Sequence, residues 1–141
     1  MDILEFKNMV WEYTRKIEES ANTALNNMGS LHGLTAMQTM LLMELYRKGP
    51  SSIGTIAENV CIAGTNISTM CKKLEKQGFI QRKRDSKDER IVRINLTDKG
   101  EQVVITIDLY FTESISKNLS QENFETIISS MDNLNSLLRK I

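Results

Sequence analysis

The stretch that decides the fold is DSKDERIVRINLTDKG, residues 85–100. Its first half is charged, whereas residues 91–96 alternate apolar and polar side chains as a β-strand does. The preceding run FIQRKR, residues 79–84, is also β-like, so the two runs predict a short hairpin around a charged tip. An isolated hairpin is at best marginally stable in water, so this one must pack on helices. Because side chains alternate along a strand, we expect three residues to face inward: Val92, Ile94 and Leu96.

Two helices are predicted within residues 1–50. Over residues 3–28, apolar residues recur at steps of three and four, which is the pattern of one helix face. Thr35 and Gln38 have the spacing of a capping box, so a second helix is predicted to begin after Thr35. Gly49, followed by the single proline of the chain, is predicted to end it.

Shorter elements follow, at lengths typical of a helix-turn-helix. Residues 51–61 predict a brief helix, residues 62–64 a turn, and residues 65–77 a further helix that stops at Gly78. On that further helix, apolar residues at i, i+3, i+4 and i+7 are predicted to face the core: Ile67, Met70, Cys71 and Leu74. Two helices joined by a turn, with a hairpin packed on them, describe a winged helix-turn-helix.

Two more helices are predicted after the hairpin. Thr97 is expected to cap a helix over residues 98–118, and Ser120 is expected to cap the last helix. The chain is therefore expected to form one domain, residues 1–141, that is mainly α-helical with a small β-hairpin. Within it, residues 35–100 are expected to form a winged helix-turn-helix lobe, and residues 1–30 and 101–141 a separate helical region.

Charge is distributed unevenly along the chain, although the formal net charge is zero. Residues 1–61 carry a net charge of −2, residues 62–100 a net charge of +5, and residues 101–141 a net charge of −3. A basic segment between acidic flanks indicates a polyanionic partner for that segment. A solvated charged surface gives the same composition, so charge alone leaves both interpretations open.

The outward side of the helix over residues 65–77 combines short polar side chains with lysines. The short groups lie toward the N-terminus of the helix, which is where a recognition helix meets base edges in the major groove. Lysines farther along the helix can reach phosphates. A solvated surface helix would show the same hydrophobic pattern. The DNA-binding residues predicted in this segment are Gly64, Thr65, Asn66, Ser68, Thr69, Lys72 and Lys73.

The hairpin favours the DNA-binding interpretation because its tip is rich in arginine. An exposed arginine tip suits a narrow minor groove, where the negative potential is strongest. Asp85 and Asp88 are expected to pair with Arg84 or Arg90 and to hold the guanidinium in one direction. The DNA-binding residues predicted in the wing are Arg82, Arg84, Lys87, Asp88 and Arg90.

With these motifs the sequence resembles the MarR family of bacterial transcription regulators. Asp85, Asp88 and Arg90, followed by LTDKG at residues 96–100, match the family pattern Asp-x-x-Asp-x-Arg followed by Leu-Thr-x-x-Gly. Upstream, LEKQGFIQR at residues 74–82 matches the Leu-Glu-x-x-Gly that leads from the recognition helix into the wing. The order of helices fits over the whole chain, and the specific motifs lie within residues 63–100.

The resemblance implies a homodimer whose N- and C-terminal helices intertwine, here residues 1–30 and 101–141. It also implies base contacts at Ser68 and its neighbours, and a wing-tip Arg90 that Asp88 orients. Many relatives bind small molecules, often aromatic and anionic, in a cleft between the lobe and the dimer helices. The expected function is therefore a sequence-specific regulator of transcription that binds double-stranded DNA: a repressor that a small-molecule effector releases from a pseudo-palindromic operator.

The first and last helices support the homodimer independently of the resemblance. The apolar stripes over residues 3–28 and 120–141 exceed what a small winged lobe can cover. Exposed apolar patches of that size normally mark an interface, and the commonest interface is one between two copies of the same chain.

Aromatic residues on the helices suggest where an effector would bind. The candidate pocket residues are Trp11, Tyr13, His32, Met40 and Tyr46. Aromatic residues on a helix stripe more often serve packing, and methionines fill irregular gaps in a core. Cys61 and Cys71 are likewise expected to act as small apolar core residues rather than redox sensors. Relatives that sense peroxides use a cysteine near the first helix, and this chain has none before Cys61.

Several classes of protein are excluded or disfavoured by the sequence. No nucleophile–base pair or carboxylate dyad stands out, so an enzyme is not expected. His32 is the single histidine, so no metal site is expected, and no motif indicates another cofactor. No signal peptide or membrane span is found, which together with two cysteines fits a cytoplasmic protein. The competing interpretation is a helical dimeric interaction module whose basic wing docks an acidic protein.

Overall fold

The computed structural model describes residues 1–60 and 64–141, which form two compact units, Met1–Ile107 and Asp108–Ile141. Cys61 and the first two residues of the predicted turn, 62 and 63, therefore lie outside the described residues. In chain order the elements are α1 (Ile3–Ser30), α2 (Ala36–Lys48), β1 (Ser51–Ser52), α3 (Ile53–Val60), α4 (Gly64–Lys76), β2 (Ile80–Arg84), β3 (Val92–Leu96), α5 (Asp98–Asn118) and α6 (Phe124–Leu138). None of the helices in the described part of the chain is long and apolar enough to span a membrane.

The first two helices begin at capping boxes. At α1, the Asp2 carboxylate accepts from the Glu5 backbone N–H at 2.8 Å, and Glu5 accepts from the Asp2 backbone in return at 3.1 Å. At α2, Thr35 and Gln38 exchange the same pair of bonds, so the predicted start of α2 is confirmed. Each box satisfies two backbone N–H groups that a helix start otherwise leaves unpaired.

The core of the first unit lies where α2, α3 and α4 meet the sheet. Its fully buried side chains come from these elements and from α5, and include Leu41, Leu42, Ile56, Ile67, Leu74, Ile80, Ile94 and Val104. On α4, Ile67, Cys71 and Leu74 have no exposed surface, and Met70 packs against the core from the side. The inward face predicted for this helix is confirmed.

The hairpin is confirmed and is part of a three-stranded antiparallel sheet in the order β1-β3-β2. β2 and β3 pair with Ile80 opposite Leu96 and Arg84 opposite Val92. The additional strand β1 pairs Ser51 with Ile94, whereas the sequence predicted that Ser51 and Ser52 belong to a helix. Ile94 is fully buried and Leu96 packs against the core, as expected, whereas Val92 is half-buried near the tip.

The second unit contains the end of α5 and all of α6, which has no buried residue. The expectation that Ser120 caps this last helix is wrong. A short 3₁₀ turn, Gln121–Asn123, intervenes, and α6 begins at Phe124 with Asn123 at its N-cap position. The Ser120 hydroxyl accepts from the Asn123 side chain at 3.1 Å instead of from the backbone of the helix.

Candidate nucleic-acid interface

Helix α4 presents a polar face opposite the side that it buries. Asn66, Thr69, Lys72 and Lys73 are exposed on this face, and Ser68 is half-buried beside them. Gly64 and Thr65 form the first turn of α4. Because the core residues fix the rotation of the helix about its axis, the short polar groups and lysines must face away from the core. The helix therefore has the division of polar and apolar faces that a recognition helix requires.

The tip of the wing holds Arg90 in a defined orientation. Its Nε donates to Asp88 Oδ1 at 3.0 Å and its Nη2 donates to Asp88 Oδ2 at 3.1 Å. The Arg90 backbone N–H donates to the same carboxylate at 3.1 Å, and these bonds lower the pKa of Asp88 below its ordinary value. The Arg90 side chain remains 90% exposed, so its remaining N–H groups face solvent. The predicted Asp88–Arg90 pair is confirmed, and it is bidentate.

Asp85 organises the loop between the two strands of the wing. One carboxylate oxygen accepts from the backbone N–H groups of Lys87 and Asp88 at 2.7 and 3.2 Å. The other accepts from Arg93 Nε at 2.6 Å, and this bond is the main reason why the pKa of Asp85 is lowered. The prediction that Asp85 pairs with Arg84 or Arg90 is therefore wrong, because its partner is Arg93. Arg84 instead donates to the Glu89 backbone carbonyl at 2.8 Å.

Arg82 lies apart from the exposed tip. It sits directly opposite Ile94 in the sheet, on the face that packs on the helices, and its side chain is only 27% exposed. Its Nε lies 3.5 Å from Glu75 Oε2 on α4, without a hydrogen bond at Nε or Nη2 among the described atoms. Of the arginines and lysines predicted to contact DNA in the wing, only Arg84, Lys87 and Arg90 are exposed.

Cys71 lies inside the lobe, on the buried face of α4. Burial raises the pKa of its thiol, because the charged thiolate is poorly solvated there. Its side chain has no exposed surface and its thiol is free. A thiol in this state packs as an apolar group and reacts slowly with oxidants.

The first unit also contains a groove of about 750 Å³ between α1, α2 and α3. Its lining is mixed: Arg15, Glu18, Glu19 and Asn22 from α1 face apolar side chains that include Met37, Met40 and Val60. Of the five predicted effector-pocket residues, Met40 lines this groove, whereas Trp11, Tyr13, His32 and Tyr46 do not. Among the described residues, no group of three potential metal ligands is found.

Comparison with known proteins relates the segment that contains α4 and the wing tip to a family. Residues 34–92 match the model of the MarR family. Over this segment the chain is similar to MarR-family proteins. This match covers α2 to the start of β3, which includes the polar face of α4 and the tip of the wing, and it confirms the resemblance given by the wing motifs.

Individual relatives agree with the family match. YkoM of Bacillus subtilis, an uncharacterised HTH-type transcriptional regulator, is 35% identical over 71 residues, which are 50% of this chain and 46% of YkoM. The chain thus spans about half the length of that relative. The transcriptional regulator BldR from Sulfolobus solfataricus is 29% identical, with a TM-score of 0.77 over all of both chains. A cysteine-to-serine mutant of MarR from E. coli, solved in complex with operator DNA, shares the fold at 16% identity, with a TM-score of 0.77 over 95% of this chain and 99% of that one.

Proposed function

We propose that this protein is a cytoplasmic, sequence-specific regulator of transcription that binds double-stranded DNA as a homodimer. The observation that carries the proposal is the pairing of two exposed elements in one lobe. One is the polar face of α4, and the other is the wing tip, where Asp88 holds Arg90 toward solvent. The matched relatives are named as transcriptional regulators, so the alternative of a module that docks an acidic protein is not favoured.

Each element suits a different groove of the DNA. Asn66, Ser68 and Thr69 lie toward the N-terminal half of α4 and can donate to and accept from base edges in the major groove. Lys72 and Lys73 lie farther along and suit phosphates, which contribute affinity without sequence information. Arg90, at the end of the wing, suits the adjacent minor groove. Arg82 is left out of this contact set because it packs toward α4.

The homodimer is proposed from the apolar side chains that the single chain leaves exposed. In the second unit, Phe124, Ile127, Ile128 and Met131 of α6 are each at least 41% exposed. In the first unit, Ile3, Leu4, Phe6, Trp11 and Ile17 of α1 are similarly exposed. Apolar surface of this extent favours an interface between two copies, and a two-fold dimer would present two recognition helices to a palindromic site.

We further propose that the regulator represses transcription and that a small molecule releases it. The support is the groove between α1, α2 and α3, whose volume falls in the range of small-molecule sites. Its lining joins apolar side chains such as Leu25 and Met40 to Glu18 and to an ion pair between Arg15 and Glu19, so an aromatic ligand would be held chiefly by the apolar side chains. A ligand here would contact α3, the helix that precedes the recognition helix in the chain.

Selection from a pool of random DNA duplexes tests the central proposal. The purified full-length protein should enrich one pseudo-palindromic sequence, and its dissociation constant for that duplex should be at least about a thousandfold below that for a scrambled duplex. Binding to both duplexes should weaken steeply as salt rises, because phosphate contacts release counterions. A protein that shows no preference after repeated rounds of selection would refute sequence-specific binding. Steep salt dependence without preference would indicate a general polyanion binder.

A further inference from the structure

The C-terminal end of α4 is bonded to the first turn of α5. A helix end normally leaves its last carbonyl groups without partners inside the helix. Here the Gln77 carbonyl accepts from Lys99 Nζ at 2.8 Å, and the Gly78 carbonyl accepts from the Thr97 hydroxyl at 2.5 Å. The Thr97 backbone N–H donates to the Phe79 carbonyl at 3.0 Å. We call this set of contacts, between residues 77–79 and residues 97–100, the α4–α5 clasp.

The clasp is also tightly packed. Lys99 Nζ lies 4.5 Å from the centre of the Phe79 ring, and Phe79 itself is buried. A Cβ atom on Gly100 would lie 2.1 Å from the Phe79 carbonyl oxygen, so only glycine allows α5 to approach this closely. The Thr97 hydroxyl has two roles, because it also accepts from the Gly100 backbone N–H at 3.1 Å and so caps α5. The two helix ends therefore form one hydrogen-bonded unit with little freedom to pivot.

We propose that Thr97 and Lys99 are positioning residues, which fix the angle of the recognition helix α4 to α5 and thereby set the separation at which two half-sites are bound. The inference rests on the proposed function. Helix α5 is the element through which the backbone passes from the first unit to the second, since it runs from Asp98 to Asn118. In the proposed dimer, the position of each α4 would depend on its angle to its own α5. Neither residue needs to touch DNA for this role.

The proposed positioning role can be tested by changing the separation of the two half-sites in the DNA. One inserted or deleted base pair changes their separation by about 3.4 Å and rotates one against the other by about 35°. A dimer with rigid clasps should tolerate this change poorly, whereas loose clasps should let each α4 pivot into place. The duplex selected above, and versions of it with one central base pair added or removed, are the probes. The measured quantity is the ratio of dissociation constants for altered and selected spacing.

Lys99→Met is the main variant because it removes the ammonium group, keeps the apolar stem and leaves the cap of α5 intact. Lys48→Met is its matched control, since Lys48 is an exposed lysine in the last turn of α2 and its loss removes the same charge. We expect the wild type and Lys48→Met to discriminate against altered spacing at least about tenfold, and Lys99→Met about threefold or less. Thr97→Val should show the same loss, and Thr97→Ser should restore discrimination because it keeps the hydroxyl.

Hydrogen exchange measured without DNA tests the α4–α5 clasp independently of the proposed function. Hydrogen exchange of the Thr97 backbone N–H should be faster in Lys99→Met than in Lys48→Met, because the clasp opens more often. Equal exchange, or undiminished discrimination by Lys99→Met and by folded Thr97→Val, would overturn the inference even if the wild type binds its site. A wild type that prefers no sequence would overturn the proposed function and the spacing role with it, whatever the exchange rates.

Discussion

Replacing Asp88 with alanine distinguishes two opposite roles for a carboxylate in a DNA-binding wing. If Asp88 only repels phosphate, its removal should tighten DNA binding. If it orients Arg90, its removal should weaken binding, although the protein becomes more positive. The structure favours orientation, because Asp88 receives two guanidinium bonds and one backbone bond from Arg90.

The magnitudes indicate which effect dominates. A carboxylate one Debye length, about 8 Å, from a phosphate changes binding by less than about twofold at physiological salt. A freed arginine that must be ordered again when DNA binds costs about two- to tenfold in the dissociation constant. We therefore expect Asp88→Ala to weaken binding to the selected duplex by about two- to fivefold. Because salt screens repulsion but not the loss of orientation, the defect should persist as salt rises.

The assay is a double-mutant cycle measured by fluorescence anisotropy on the selected duplex at fixed salt. Arg90→Ala should weaken binding by about tenfold or more, and Asp88→Ala should have little further effect in that background. Glu89→Ala is the matched control, because it removes a neighbouring exposed carboxylate that makes no ion pair among the described residues. Tighter binding by Asp88→Ala, or losses that add in the double mutant, would show that Asp88 and Arg90 do not act as a unit.

Three further predictions follow from the structure. Ser68→Ala should cost about 1–3 kcal/mol on the selected duplex and much less on a scrambled one, whereas Lys72→Ala should weaken both and lower the salt slope by about one. Ile128→Lys should shift the protein to a monomer in sedimentation experiments, and an unchanged dimer would argue against an interface at α6. Arg93 lowers the pKa of the Asp85 carboxyl group in the folded protein. The ionised Asp85 should therefore stabilise the wing fully above about pH 4, the ordinary pKa of an aspartate, and this stabilisation should be lost as the pH falls through the lowered pKa. Hydrogen exchange should show the wing amides losing protection in acid, and in Asp85→Asn at neutral pH; full protection in that variant would contradict the assignment.

The parts of the fold that the sequence predicted are those with a local or periodic cause. The capping box at Thr35 and Gln38 lies within four consecutive residues, so the start of α2 could be predicted from the local sequence. The buried face of α4 follows from helical periodicity, which places Ile67, Cys71 and Leu74 on one side. The Asp88–Arg90 pair is two residues apart at a turn, and such a pair depends little on the rest of the fold.

The features of the structure that could not be predicted from the sequence depend on contacts between segments that are distant in the chain. Strand β1 has two residues, too few for an alternating pattern, and it forms only because β3 provides a partner. Asp85 reaches Arg93 because the hairpin register brings them together, eight positions apart in the chain. Arg82 appears in a basic run, yet the register places it opposite Ile94 and turns it toward α4. A sequence shows the charge of such residues but not the direction in which they point.

The ion pairs around α4 and the wing explain how a basic segment can contain five acidic residues and still suit DNA. Residues 62–100 carry ten basic side chains, but Arg82, Arg90 and Arg93 each have a carboxylate within 3.5 Å. Each pair has a net charge near zero, so it contributes little attraction to DNA phosphates that lie beyond a Debye length. Arg90 and Arg93 are also held in place by hydrogen bonds to Asp88 and Asp85, which do not depend on long-range attraction. In the proposed complex, the exposed lysines of α4 would supply the attraction over distance, and the Asp88–Arg90 pair would set where the wing meets the groove.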